Sequence, residues 1–495
     1  MVSLSDIIPA PVSIRPHPGD DFVILASSVI VVSVAGAEQP AVAWLAGLLR
    51  RGTGYAIPIV PAADSSLPII TFALSVAEAS LGEEGYRLTV SSAEVRIQAS
   101  TDAGLFHGAQ TLRQLLPPEI ETDDSQGNVR WVVPGGEITD HPRYRWRGAM
   151  LDVARHFFSV ADVKRYIDLL ALYKCNMLHL HLTDDQGWRI AIESWPLLAS
   201  VGGSTAVDGD PGGYYSAADY RDIVAYAASR CISIVPEIDA PGHVNAALAA
   251  YPELSCAGTH PSLYTGIEVG FSTLCPDKPI TERFLDEVIG ELAALTPGDY
   301  IHIGGDEARS TQPADYIDFV QKLTTIVTAH GKIPIGWAEI SKAPLSAGVV
   351  AQYWDVNDGG RSAHSAAAQG VDVILSPANP CYLDLKYDAA TQLGLSWAGT
   401  VSVRAAYDWD PGGYGVPEHQ ILGVEAALWT ETLRTVADVE YMAFPRLPGI
   451  AEVGWSPKST HSWPAYRQRL AAQASRWVVM GVNFHRAAGV EWAKG

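Results

Sequence analysis

The 495-residue sequence predicts an α/β protein: a C-terminal (β/α)8 barrel preceded by a small α+β domain with a mainly antiparallel sheet. Three observations carry that prediction. Beyond residue 142, strand-like runs rich in Val, Ile and Leu alternate with helical runs; there are eight such strands; and the residues able to do chemistry fall where those strands end. Apolar strands flanked by helices are buried on both faces and pair in parallel, and eight units close into a barrel whose functional groups sit at the C-terminal strand ends.

In residues 1–142, β-type runs occupy 28–33, 69–74, 86–90 and 95–99, and helical patterns occupy 38–51 and 102–116. Strands in hairpin-like succession give a largely antiparallel sheet. Polar residues here are scattered, and His107 on the second helix reads as a packed or surface histidine, so this part is a structural or positioning module. From 143 to 495 the rhythm changes. A strand at 148–153 precedes a helix at 161–173, 177–182 precedes 217–229, 232–238 precedes 281–294, and 300–303 precedes 314–330. Strands at 333–337, 349–354, 371–375 and 421–429 complete the eight. Long excursions at 190–215 and 382–420 follow strand ends, as binding loops do.

Composition narrows the function. With 34 basic against 55 acidic residues the net charge is −21, and no Lys/Arg run supplies a local basic patch. Nucleic acid and acidic lipid surfaces are excluded as partners on that ground. The 48% hydrophobic and 18% charged content is that of a chain with a packed core. No apolar run reaches the roughly 18–20 residues of a membrane span. Residues 1–6 carry neither a basic nor an uninterrupted apolar leader region, so the expected location is cytoplasmic, with an extracellular enzyme from a trimmed chain as the alternative. The five cysteines lack metal-ligand spacing such as C-x-x-C. Cys175 and Cys231 adjoin apolar runs and read as core thiols, whereas Cys256 and Cys275 bracket a Gly/Pro/Ser/Thr-rich stretch, and whether they pair stays open.

Read to their ends, the strands present Asp152 and Arg155, then Asp184 and Asp185, then Glu237, Asp239 and His243, then Asp306 and Glu307. The remaining four present Trp337, Trp354, Tyr382 with Asp384, and Trp429 with Glu431. Carboxylates and arginine bond hydroxyls in pairs, and tryptophan faces pack on the apolar face of a sugar ring, so the chemistry points to carbohydrate. Trp44, Trp131, Trp463 and Trp477 read as core, while Trp337, Trp354 and Trp429 read as site. In His302-Ile303-Gly304-Gly305-Asp306-Glu307 the glycines let the chain leave its strand tightly and bring backbone close to a ligand. Glycoside hydrolysis commonly uses one protonated acid and a second group for charge at the anomeric carbon. Adjacent acids do not form the usual opposed pair; a substrate with its own nucleophile, such as a 2-acetamido sugar, needs only an acid/base and a residue that orients that group.

The run HIGGDEA at 302–308 resembles the signature of family 20 glycoside hydrolases, the β-N-acetylhexosaminidases. LDVARHFF at 151–158, HLTDDQGW at 181–188 and PEIDAPGH at 236–243 resemble that family's other blocks in the same order. The resemblance spans both parts of the chain and implies a retaining exo-acting enzyme that removes terminal GlcNAc, or GalNAc, through an oxazolinium intermediate, as in chitin breakdown. It implies that Glu307 is the general acid/base and that Asp306 holds the acetamido nitrogen and stabilises the intermediate's charge. Tyr382 would bond the acetamido oxygen, with Trp337, Trp354 and Trp429 walling the methyl pocket. Arg155 would grip ring hydroxyls, with Asp184 beside it or turned toward His243, and Asp384 and Glu431 would take the outer hydroxyls. Trp397 would stand on the aglycone side. The implied partner is a small-molecule or oligosaccharide substrate ending in β-N-acetylhexosamine, with no cofactor and no metal.

Two other readings compete. His179-Leu180-His181 puts two imidazoles on one strand face, with Asp184, His243 and His302 as further ligands of a metal-dependent barrel hydrolase. A sugar-binding protein on a retired scaffold is the other, and the presence of both Asp306 and Glu307 speaks against it.

Overall fold

The computed structural model describes residues 3–32, 39–64, 67–123 and 129–492; expectations touching residues 1, 2, 33 and 38 lie outside them. The N-terminal part is built on a seven-stranded sheet. Its strands run in the order Ser13–Pro16, Gly136–Asp140, Tyr86–Val90, Glu94–Ala99, Ile69–Leu74, Val29–Val32 and Ile59–Val60. A separate antiparallel ribbon pairs Phe22–Val23 with Val132–Val133. Antiparallel pairings prevail four to three among the described residues. The parallel ones lie toward the edge reached through the crossover helix Pro40–Thr53. Helix Asp102–Leu115 packs on both that helix and the sheet, and every residue from Gly104 to Leu115 is buried.

The remainder is the barrel: β1 (Trp146–Asp152), β2 (Met177–His181), β3 (Ser233–Glu237), β4 (Tyr300–His302), β5 (Ile333–Trp337), β6 (Val350–Tyr353), β7 (Asp372–Leu375) and β8 (Ile421–Leu428). Neighbours pair in parallel, and β8 closes on β1. Each expected strand falls on its counterpart to within two residues, because all eight segments are apolar and flanked by turn or helix signals. Helices Val160–Leu172, Ala217–Ala228, Pro279–Leu295 and Pro313–Ala329 follow β1 to β4. Ser159 and Ser216 start the first two with reciprocal capping by Asp162 and Asp219, satisfying backbone N–H groups that have no partner within the helix. Three helices after β8, Val436–Ala443, Arg446–Trp455 and Trp463–Val479, escape the sequence reading. Arg446–Trp455 is buried on every side and so lacks the one-faced apolar period by which helices are recognised.

The barrel interior changes character with height. Its lower layer is apolar, formed by Trp146, Val235, Ile335, Val350, Ile374 and Leu422. Above that layer the inward-facing side chains include His179, Glu237, His302, Gln352 and Glu425, all fully buried.

The N-terminal part docks where the barrel strands begin. Lys174, just before β2, donates to Asp140 Oδ2 at 2.9 Å and to the Tyr86 hydroxyl at 2.9 Å, while the Trp455 indole N–H donates to Asp140 at 3.0 Å. Arg147 on β1 pairs with Glu84, which also lies 3.1 Å from His107 Nε2, so His107 is a packed interface residue. Glu121 closes the joint from the far side: Arg113 donates to both its oxygens at 2.9 and 2.8 Å, and Arg476 of the last helix donates to Oε1. Burial alone would raise the Glu121 carboxyl, but the two guanidinium groups bring it down to about 2.

A carboxyl depressed on folding contributes stability above its unfolded pKa and loses it as pH falls through the folded value. Glu121→Gln is therefore expected to cost about 3–5 kcal/mol at pH 7, the usual cost of breaking a buried pair. In denaturant unfolding, the gap from the parent should close as pH falls from about 4.5 to about 2. A gap that stays constant over that window would show that Glu121 is not ionised in the folded protein.

Candidate active site

The site begins where β4 ends. Gly304 and Gly305 have φ of +65° and +94°, and a Cβ on Gly304 would stand 1.7 Å from Asp239 Oδ1, so only glycine fits. The Gly305 N–H donates to that same oxygen at 3.1 Å, and the Tyr316 hydroxyl donates to the Gly305 carbonyl at 2.6 Å. The turn aims Asp306 and Glu307 at one point: His243 Nε2 lies 3.5 Å from Asp306 Oδ2 and 3.6 Å from Glu307 Oε2. Glu307 and His243 both hold left-handed backbone, with φ of +44° and +55°. Such strain in a non-glycine residue costs about 1–3 kcal/mol and persists where the surroundings over-determine it, commonly at functional sites.

Behind His243, Nδ1 lies 3.2 Å from Asp184 Oδ1, and Asp184 Oδ2 is 2.7 Å from Arg155 and 2.8 Å from His181 Nε2. Burial opposes charge on Asp184, yet Arg155 and His243 hold its carboxyl well below the usual carboxylate range. Arg155 is fixed in turn through Asp152, whose Oδ1 accepts the Ala154 and Arg155 N–H groups and whose Oδ2 accepts that of Thr430, tying the tops of β1 and β8 together. Glu307 is raised by burial and by the adjacent Asp306 charge, although Arg309 donates to its Oε1 at 2.7 Å. A carboxyl held up in this way keeps its proton to higher pH than an ordinary carboxyl does.

These groups open on a cleft of about 400 Å³, within the range of small-molecule sites. Ten of the expected residues line it. Arg155, His243, Asp306 and Glu307 form its floor, and Tyr382, Trp354, Trp397 and Trp429 form its aromatic sides. The Tyr382 and Trp354 rings stack 6.3 Å apart, and Trp397 stands edge-on to each at 5.8 Å with nearly half its surface exposed. Asp384 and Glu431 occupy the polar end. Both Asp384 oxygens, Glu431 Oε2 and Arg155 Nε are buried without a protein partner, which a hydroxyl-rich ligand would supply. Burial and the neighbouring Glu431 push the Asp384 carboxyl well above its ordinary range. Tyr382 reaches the cleft because the chain after β7 runs beside β8, with the Leu383 N–H donating to the Ala427 carbonyl at 2.7 Å.

Two expected residues lie beneath the cleft and not in its lining. Asp184 holds both Arg155 and His243, and Trp337, 1% exposed, packs 5.8 Å behind Trp429. Both face the barrel axis, a direction that a strand-end position does not reveal. Other contributors went unread. The two Glu339 oxygens accept the Trp354 indole N–H at 3.2 and 3.0 Å; burial and Asp306 push its carboxyl up to about 8, and its place two residues past Trp337 was the available signal. Cys256 and Cys275 form a disulfide across the base of a loop that brings Ile267 and Val269 to the cleft mouth. The imidazoles behind the metal reading are occupied: both ring nitrogens of His179 and of His181 face carboxylates at hydrogen-bond distance.

A parallel eight-stranded barrel whose strand ends gather buried acids, Arg155 and a wall of indole rings around a cleft defines a glycoside-cleaving enzyme. Comparison with known proteins narrows the class. The profile "Glycosyl hydrolase family 20, catalytic domain" matches residues 144–458, and "Glycosyl hydrolase family 20, domain 2" matches residues 4–141. A β-N-acetylhexosaminidase from Cellulomonas fimi is 44% identical over 489 residues, covering 98% of this chain and 97% of that protein. The solved structure of the GH20 β-N-acetylhexosaminidase from Streptomyces coelicolor A3(2) superposes with a TM-score of 0.96 at 52% identity, covering 99% of each chain. A mutant Streptomyces plicatus β-hexosaminidase in complex with product (GlcNAc) gives a TM-score of 0.95 at 52% identity over 99% of this chain and 98% of that one. The chain belongs to glycosyl hydrolase family 20.

Proposed function

We propose that Glu307 is the general acid/base and Asp306 the orienting carboxylate of this chain's reaction. The chain is a retaining exo-β-N-acetylhexosaminidase that removes non-reducing terminal GlcNAc with assistance from the substrate's own acetamido group. The observation that carries the assignment is the convergence of Asp306 and Glu307 on one nitrogen, His243 Nε2, within 3.6 Å. Two carboxylates that meet at one atom do not flank a glycosidic bond from opposite faces, and such an arrangement suits a nucleophile brought by the sugar.

In this reading the acetamido oxygen attacks C1 as Glu307 gives its proton to the departing glycosidic oxygen, leaving a cyclic oxazolinium. Glu307, now a carboxylate, takes a proton from water, the water oxygen adds at C1, and the acetamido group is restored with net retention. Asp306 accepts the acetamido N–H and faces the positive charge of the intermediate. Tyr382 donates to the acetamido oxygen, and Trp354 and Trp429 enclose the methyl group. Trp337 backs Trp429 in that wall. Arg155, Asp384 and Glu431 bind ring hydroxyls, and Trp397 offers a face to the leaving group. Asp184 and His243 align Glu307 and moderate its charge.

An aryl β-GlcNAc should be hydrolysed while the matching aryl β-glucoside is not, and a chelator should leave the rate unchanged; a chelator-abolished rate would revive the metal-dependent reading. Glu307→Gln should cost on the order of 10²–10⁴ in kcat/KM on substrates with poor leaving groups, where the proton is needed, and much less on activated aryl glycosides. Asp306→Asn should depress turnover of 2-acetamido substrates and move the basic limb of the kcat/KM profile to lower pH, since removing the adjacent charge lowers the Glu307 pKa. A limb that stayed in place, or moved up, would separate Asp306 from the acid.

A further inference from the structure

The groups at the barrel mouth do not account for the carboxylates and imidazoles that fill the middle of the barrel. Glu237, the last residue of β3, is fully buried and meets four rings. Its Oε2 lies 2.9 Å from His179 Nε2 and is also bonded to His181 Nδ1; its Oε1 accepts the Trp337 indole N–H at 3.0 Å and lies 2.9 Å from His302 Nδ1. The chain continues in both directions. Downward, His179 Nδ1 reaches Glu425 Oε1 at 2.9 Å, and Glu425 also accepts from Gln352 at 2.8 Å and from the Trp146 indole at 2.9 Å. Upward, His181 Nε2 reaches Asp184, which holds His243. Carboxylate and imidazole thus alternate without a break from the apolar floor to the groups that touch Glu307.

The alternation fixes charge as well as geometry. Burial favours neutral imidazoles, yet the flanking carboxylates bring His179 up to about 9 and His181 well above its ordinary value. Burial equally opposes charge on Glu237, and His181, His302 and His179 overcome it. A buried chain of ions is no more stabilising than an apolar core of the same volume, so stability does not account for it. What it does provide is orientation, because no member can turn without stranding a charge in a medium of low dielectric.

We infer that Glu237 and His181 are positioning residues: Glu237 fixes, through His181, the Asp184 carboxylate that holds His243 against Glu307, and fixes, through the Trp337 indole, the ring that backs Trp429 in the acetamido pocket. One buried carboxylate thereby sets both the proton donor and the pocket of the nucleophile. This inference rests on the assignment of Glu307 as the acid. Neither residue touches substrate.

The test compares the full-length parent with Glu237→Gln, Glu237→Leu and His181→Gln on two β-GlcNAc substrates, a nitrophenyl glycoside with a good leaving group and the methyl glycoside with a poor one. Glu307→Gln on the same pair is the reference. Residues that orient a reacting group commonly cost 10–100-fold when changed. Glu237→Gln should lose about that factor on the methyl glycoside and several-fold less on the nitrophenyl one, with His181→Gln showing the same selectivity. Glu237→Leu, which also removes the acceptor of the Trp337 indole N–H, should in addition raise KM, whereas Glu237→Gln, which keeps one oxygen for that indole, and His181→Gln should act mainly on kcat. Parent-like kinetics in Glu237→Gln and His181→Gln would overturn the inference. So would equal losses on the two substrates that track the folded fraction, or failure of both variants to fold, since the ladder would then be a structural device alone. A Glu307→Gln variant without leaving-group selectivity would instead remove the acid assignment, so the two failures are distinguishable.

Discussion

A charge taken out of water must be paired, and that requirement organises this protein more than any other. The barrel is closed by short parallel strands whose residues are almost all buried. An ionised carboxylate inside it without a partner would cost several kcal/mol. Glu425, Glu237 and Asp184 are tolerated there because each has an imidazole on at least one side. The pairing propagates upward, so the orientation of His243 at the mouth is inherited from residues well below it. Glu339 shows the opposite solution: with no cation in hydrogen-bond contact among the described residues, it accepts the Trp354 indole and holds a raised pKa.

The same requirement joins the N-terminal part to the barrel, at the opposite end from the chemistry. Lys174 and Arg147 lie at the starts of β2 and β1, and their partners Asp140 and Glu84 come from the N-terminal sheet and its loops. Charges that would otherwise be stranded beneath the barrel are neutralised by docking. In a (β/α)8 barrel the strand starts serve stability and the strand ends serve function, and here a second sheet covers the former and leaves the latter open. Arg113, Glu121 and Arg476 repeat the arrangement between the N-terminal helix and the last helix of the chain.

Much of this was legible in the sequence, for identifiable reasons. Eight apolar runs gave the barrel, and polar or aromatic residues directly after those runs gave the cleft, since an acid after a strand such as the one ending at His302 has few other places to go. The limit was direction. Trp337 and Trp429 both follow apolar runs, yet one ring faces the barrel axis and the other the cleft. The helix Arg446–Trp455 was invisible because complete burial erases periodicity. Glu425 carried a signal that was not taken up, a lone acid within an eight-residue run that is otherwise apolar or glycine. His179 and His181 were noticed as a pair, but a sequence does not say whether facing imidazoles await a metal or a carboxylate.

The exit turn of β4 has a consequence for how such a site can change over generations. At Gly304 even a single methyl group would meet the oxygen that anchors the next residue of the turn, so no neighbouring codon for a larger residue leaves Asp306 and Glu307 where they are. The two acids can each be exchanged one at a time, but the turn that presents them has no partial form. A lineage that lost this glycine would lose both acids' geometry in one step, and recovering activity would require restoring the same residue.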